Sequence, residues 1–183
     1  NIIDIIDKKR LGKELNYKEL DYAFNGYLNK HIEDYQMSSL LMAIVINGMT
    51  LEETISLTDI FIKSGEIYDL SSINDVIIDK HSTGGVGDST TLVVGPIVAA
   101  CGCHMAKISG KSLGITGGTI DKLNSIPGFK TNLTKKEFIN NLKKVGFVDS
   151  SQTKNLVPLD KVIYNLRNNS GTTESLPLIA SSI

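Results

Sequence analysis

Twice between residues 76 and 123 an apolar run enters a glycine-rich loop and leaves it as a helix-like segment. The first passage is Val76-Ile77-Ile78, then Asp79-Lys80-His81-Ser82-Thr83-Gly84-Gly85-Val86-Gly87-Asp88-Ser89-Thr90-Thr91, then an apolar stretch from Leu92 to Ala100. The second is His104–Ile108, then Ser109–Gly118, then Thr119–Leu123. Val76–Ile78 is β-branched and suits a buried strand. Strand, loop, helix, repeated, predicts an α/β lobe with a parallel sheet. Both glycine loops then fall at the carboxyl edge of that sheet, where ligands bind.

The residues before this region predict helices. Asn16 with Glu19, and Thr50 with Glu53, have capping-box spacing, and Asp34 is placed to cap a helix between them. Leu20, Ala23, Phe24, Tyr27 and Leu28 recur at helical spacing, as do Met37, Leu40, Leu41, Ile44 and Val45. Gly48 and Gly65 are the expected stops. Downstream, Thr134 with Glu137 starts another helix, Val145–Val148 is a strand candidate, and Leu159–Leu166 is helical. The expected fold class is α/β: an all-helical N-terminal lobe, plus a partial α/β lobe with a parallel-type sheet and glycine-rich phosphate loops. The expected boundaries are a helical lobe over 1–66, the first part of the α/β lobe over 67–154, and a return to the helical lobe over 155–183.

Charge and cysteine usage exclude other classes. Nineteen Lys and Arg against 20 Asp and Glu give a formal charge of −1, so nothing argues for nucleic-acid binding. The apolar runs Leu40–Ile46 and Leu92–Cys101 are too short to span a membrane, and the order of charges at the N-terminus is the reverse of a secretory signal. Cys101 and Cys103 lie too close for a disulfide framework and are too few for a zinc site. A cytoplasmic protein is expected.

The loops themselves point to an anion. Glycines let backbone N–H groups approach a ligand closely, and a helix N-terminus favours negative charge. Lys80 adds a cation, and Ser82, Ser89, Thr90 and Thr91 add hydroxyl donors. The first loop lacks the Gly-Lys-Ser/Thr ending of a Walker A loop. His81, at the strand end, suits a proton donor or a charge stabiliser for a leaving group. Arg167, read from helix position alone, is a solvated residue.

The stretch Asp79–Asp88 closely resembles the signature of the pyrimidine-nucleoside and thymidine phosphorylases. The resemblance continues through Ile108-Ser109-Gly110, Thr116–Leu123, Ile126-Pro127-Gly128-Phe129, Asn155-Leu156 and Leu176–Ile183. It also covers Tyr35-Gln36-Met37-Ser38 and Gly48-Met49-Thr50. It implies a homodimer formed through the helical lobe, with a nucleoside held between two lobes. The implied reaction is reversible phosphorolysis, in which phosphate attacks C1′ of uridine, deoxyuridine or thymidine. The products are a free base and a pentose 1-phosphate. By the same resemblance Lys80, Ser82, Thr91, Lys107, Ile108, Ser109 and Thr119 bind phosphate, the co-substrate. His81 and Arg167 are catalytic and, with Ser182, hold the base. Gly87 and Ser89 would help bind potassium, and no organic cofactor is implied.

The chain departs from the family pattern at Lys111, Ser112, Ile115 and Asn168, where Arg, Gly, His and Asp are usual. It also ends before a base-binding Lys expected soon after Ser182, so little turnover is expected from residues 1–183 alone. Two alternatives remain at this stage: a phosphoribosyltransferase of the same architecture, and a non-catalytic truncated binding or dimerisation module.

Overall fold

The computed structural model describes residues 1–81, 88–110 and 117–182. The chain divides into two compact units: Asn1–Glu66 together with Lys154–Ser182, and Ile67–Thr153.

The first unit is helical. It contains α1 (Ile2–Arg10), α2 (Tyr17–Leu28), α3 (Asp34–Asn47), α4 (Leu51–Lys63), α8 (Pro158–Ser170) and α9 (Leu176–Ser181). Local chemistry sets the starts. The Asn16 side chain accepts from Glu19 N at 3.1 Å while Glu19 accepts from Asn16 N at 2.8 Å, and Thr50 and Glu53 repeat the exchange. Glu33, rather than Asp34, is the N-cap of α3, because Gln36 reaches back to the Glu33 amide at 3.1 Å. Gly48, at φ 68°, ends that helix. Helix α4 stops at Lys63, two residues before Gly65. A Cβ on Gly65 would lie 2.3 Å from the Asn155 carbonyl oxygen, so this glycine serves a close chain approach. Phe24 and Phe61, both buried, meet edge to face at 5.8 Å, and Leu20, Leu40, Leu57 and Ile163 are buried in the same unit.

One ion pair is buried within this apolar core. Lys9 Nζ donates to both Glu53 carboxylate oxygens at 2.8 and 3.0 Å, and the backbone amides of Leu15 and Thr50 donate to the same carboxylate at 2.8 and 2.7 Å. Four hydrogen bonds from three donor groups offset the desolvation of this carboxylate.

The second unit is α/β. It contains β1 (Ile77–Ile78), α5 (Thr91–Ala100), β2 (His104–Ser109), α6 (Thr119–Asn124), α7 (Lys135–Val145) and β3 (Phe147–Ser151). The strands form a parallel sheet in the order β1-β2-β3, which bears out the expected fold class. β1 is shorter and more open than expected, with Ile77 and Ile78 37% and 38% exposed. It pairs only with β2 among the described residues. β3 starts later than the expected 145–148, because Gly146 at φ 77° closes α7 first.

The two sheet faces differ. Ala106, Ile108 and Val148 pack with Ile73, Leu133, Phe138 and Leu142. Register places Lys107 opposite Asp149 and Ser109 opposite Ser151 on the other face. Helix α5 covers that face closely: a Cβ on Gly95 would come within 2.5 Å of the Phe147 ring. No helix among the described residues is long and apolar enough to cross a membrane.

Candidate phosphate site and its family

The parallel sheet delivers Lys80 just past the end of β1 and Ser109 at the end of β2. Asp88, Ser89 and the N-cap Thr90 lead into helix α5 beside them. The Asp88 carboxylate accepts from the Lys80 ammonium, from Thr90 Oγ1 at 2.6 Å and from Thr91 Oγ1 at 2.7 Å. Lys80 Nζ also donates to Thr90 Oγ1 at 2.9 Å. Burial pushes the Asp88 carboxyl up, but the hydrogen bonds from Lys80, Thr90 and Thr91 outweigh it and hold the group well below the usual carboxylate range.

Lys107 reaches the same corner from inside β2. Its ammonium donates to the Lys80 carbonyl at 2.8 Å and lies 3.9 Å from Asp79 Oδ1. The Thr119 hydroxyl, at the start of α6, reaches the Asp88 carbonyl oxygen at 3.4 Å. Two ammonium groups, several hydroxyls and the N-terminus of a ten-residue helix therefore converge at one end of the sheet. That is donor chemistry for a multiply charged oxyanion.

Of the phosphate residues expected from sequence, Lys80, Thr91, Lys107 and Thr119 lie in this unit with these contacts, and Ser109 lies in it at the end of β2. Ile108 turns its side chain into the opposite, apolar face, so only its backbone borders the corner. Ser82 and Gly87 lie outside the described residues. His81 is exposed next to Lys80. Ser89 is exposed in the turn before α5, and alone it offers too few oxygens for a potassium ion, so the described residues do not make up that site.

Arg167 and Ser182 belong to the helical unit. The solvated reading of Arg167 is overturned: it is 1% exposed. Its guanidinium donates from Nε to the Thr172 carbonyl at 3.1 Å, from Nη1 to Leu178 O at 3.1 Å, and from Nη2 to Thr173 O at 2.9 Å. It thus ties the end of α8 to α9. Burial pulls its pKa down, and the nearby Asp160 carboxylate opposes that. The Ser182 hydroxyl donates to Asp160 Oδ1 at 2.7 Å.

Sequence reasoning passed over two carboxylates. Asp88 stands inside the quoted signature, immediately before a helix start, which is a legible sign of an N-terminal acceptor. Asp149 lies in β3, 5% exposed, and neither carboxylate oxygen has a hydrogen-bond partner among the described residues. Burial pushes its pKa up to about 6; Ser109 and Lys107 oppose the shift, and Asp79 and Asp88 reinforce it. An acidic residue in an otherwise β-prone run was its only signal.

Comparison with known proteins accords with this geometry. Residues 3–65 match the helical bundle domain, and residues 74–183 the a/b domain, of the glycosyl transferase family. The chain is 51% identical over 182 residues to the pyrimidine-nucleoside phosphorylase of Geobacillus stearothermophilus. It is 52% identical to that of Staphylococcus epidermidis (strain ATCC 12228 / FDA PCI 1200) and 51% identical to that of Bacillus subtilis (strain 168). Each alignment covers 100% of this chain and 42% of the relative, so the chain spans about two-fifths of the length of these curated relatives. The resemblance seen in the signature stretch is thereby borne out across both units, and the chain belongs to the glycosyl transferase family.

Proposed function

We propose that this protein serves reversible phosphorolysis of pyrimidine nucleosides, with uridine, deoxyuridine or thymidine as substrate and inorganic phosphate as co-substrate. One observation carries the reading: the Lys80, Thr90 and Thr91 donors converge on a single acceptor at the α5 N-terminus, with Lys107 beside them. The relatives' name, pyrimidine-nucleoside phosphorylase, supplies the reaction to which such an anion site belongs.

In that reaction a phosphate oxygen attacks C1′. The bond from C1′ to the base nitrogen breaks, its electron pair leaves with the base, and pentose 1-phosphate forms. Charge develops as the glycosidic bond opens, so positioning and electrostatics dominate. Lys80 and Lys107 supply fixed positive charge for phosphate; Thr91, Ser109 and Thr119 supply hydroxyls, and Ser82 belongs to the same set. His81 assists departure of the base, Arg167 donates to a pyrimidine carbonyl, and Ser182 hydrogen-bonds the base. Potassium near Gly87 and Ser89, and a cytoplasmic location, belong to the same reading. So does a homodimer through the helical unit, which leaves Tyr35, Met42 and Ile46 of α3 exposed; sedimentation velocity tests it.

The deciding experiment titrates phosphate into the protein by calorimetry, then assays phosphate-dependent release of uracil from uridine. Saturable phosphate binding that weakens about 10–100-fold in Lys80→Met is expected, the size of a lost charge-assisted hydrogen bond. Absence of phosphate binding would refute the reading. Magnesium-dependent use of a diphosphate donor would point instead to a phosphoribosyltransferase, and phosphate binding without any affinity for uridine to a non-catalytic module.

A further inference from the structure

Asp149 and Ser109 are neighbours on β3 and β2, on the sheet face that also carries Lys107. Each is 5% exposed. Among the described residues Ser109 Oγ and both Asp149 carboxylate oxygens lack a hydrogen-bond partner, although the Ser109 hydroxyl lies close enough to the carboxyl to favour its ionised form. Buried polar atoms without partners are rare and need a reason. We propose that Asp149 is a positioning residue: it decides whether the Ser109 hydroxyl points its proton at phosphate or away from it. The inference rests on the phosphate reading above.

A serine hydroxyl has one proton and two lone pairs, and an ionised carboxylate can only accept. With Asp149 ionised, the Ser109 proton turns inward to the carboxylate. A phosphate oxygen at the strand end then meets a lone pair, and the carboxylate's charge repels it. With Asp149 protonated, the carboxylic acid donates to Ser109 Oγ, and the Ser109 proton is free to donate to phosphate. The charged groups facing Asp149 are Lys107 from β2, Asp79 from the segment after β1 and Asp88 from the segment before α5. Helix α5 itself brings no charged side chain to this face. Asp149 titrates near 6, so both forms are populated in the ordinary working range. Phosphate binding then favours the protonated form and is accompanied by proton uptake at Asp149.

The test is phosphate affinity between pH 5 and pH 8 in wild type, Asp149→Asn, Ser109→Ala and the double variant. The ionisation of phosphate is common to all four and cancels in their ratios. Wild-type affinity should fall about tenfold further than that of Asp149→Asn across this range, the size of one hydrogen bond to a charged ligand. The Asp149→Asn effect should largely vanish in the Ser109→Ala background. Equal pH profiles for wild type and Asp149→Asn, or an undiminished effect without Ser109, would overturn the inference while leaving the phosphate site standing. Failure of wild type to bind phosphate at any pH would remove the phosphate reading, and this inference with it. A second measurement needs no variant: the Asp149 carboxyl, followed by carbon NMR in the wild-type protein, should titrate at higher pH with phosphate present. An unmoved midpoint contradicts the coupling.

Discussion

Glu53 in the helical unit and Asp149 in the α/β unit are almost equally buried, at 2% and 5% exposure. Glu53 receives Lys9 Nζ and the Leu15 and Thr50 amides. Asp149 receives no hydrogen bond from the described residues. A carboxylate satisfied on every side is held in one geometry; it organises α1, the α1–α2 connection and the start of α4. A carboxylate left without donors has its protonation state open to whatever approaches. Burial alone therefore says nothing about role, and the partner count separates a structural carboxylate from a responsive one.

The comparison breaks most visibly at Glu53. Glu53→Ala leaves the Lys9 ammonium buried without an acceptor, and the helical unit should lose about 3–5 kcal/mol, read as a lower urea midpoint by circular dichroism. A loss under about 1 kcal/mol would mean that Lys9 reaches solvent, and the pair would then have to be reclassified as a surface contact.

Asp149→Val should act in the opposite direction, and in a pH-dependent way. The folded-state pKa of Asp149 lies near 6, above its ordinary value of 3.8. A raised folded pKa means that the folded protein binds the proton more tightly. Its stabilising contribution is complete below the unfolded value and is lost as pH rises through about 6. Two pH units correspond to about 3 kcal/mol. The stability of Asp149→Val relative to wild type should therefore climb by about 3 kcal/mol between pH 4 and pH 7.5, measured by urea unfolding at each pH. A flat difference would show that Asp149 is solvated.

Gly95 tests what keeps Asp149 dry. Its missing Cβ lets α5 close on Phe147, in the strand that carries Asp149. Gly95→Ala forces the ring or the helix to shift, at about 2 kcal/mol. Water admitted to the face should bring the Asp149 titration back toward the ordinary range. Adding Phe147→Leu should restore part of both; if it restores neither, the contact is not what seals the face.

These contrasts explain what could be seen in the sequence. Capping boxes at Asn16, Thr50 and Thr134 depend on residues three apart, and the structure forms each as expected. The parallel sheet followed from loops and spacing, because a strand–loop–helix repeat admits few other solutions. What stayed hidden depends on distant chain segments. Arg167 is buried because carbonyls of Thr172, Thr173 and Leu178 fold back around it, which no helical period reveals. The Lys9–Glu53 pair joins residues 44 apart. Val76–Ile78 had the composition of a buried strand, but burial depends on what lies over it, and Ile77 and Ile78 are over one-third exposed. Asp149 became conspicuous only when register set it beside Lys107 and near Ser109.

The smallest effects give the sharpest version of the comparison, because they use the same substitution in both units. The Ser182 hydroxyl donates to buried Asp160, and Ser182→Ala withdraws that donor, costing about 1 kcal/mol or somewhat more. Ser109 Oγ has no hydrogen-bond partner among the described residues, so its contact with the Asp149 carboxyl is weaker than that of Ser182 with Asp160, and Ser109→Ala removes a buried polar group that gained little from folding. Its stability should stay within about 0.5 kcal/mol of wild type, while phosphate binding weakens. Paired unfolding curves and phosphate titrations on the two variants separate the cases. If Ser109→Ala loses as much stability as Ser182→Ala, the Ser109 hydroxyl is a structural donor in solution. The contrast between a satisfied and a responsive carboxylate would then have to rest on Asp149 alone.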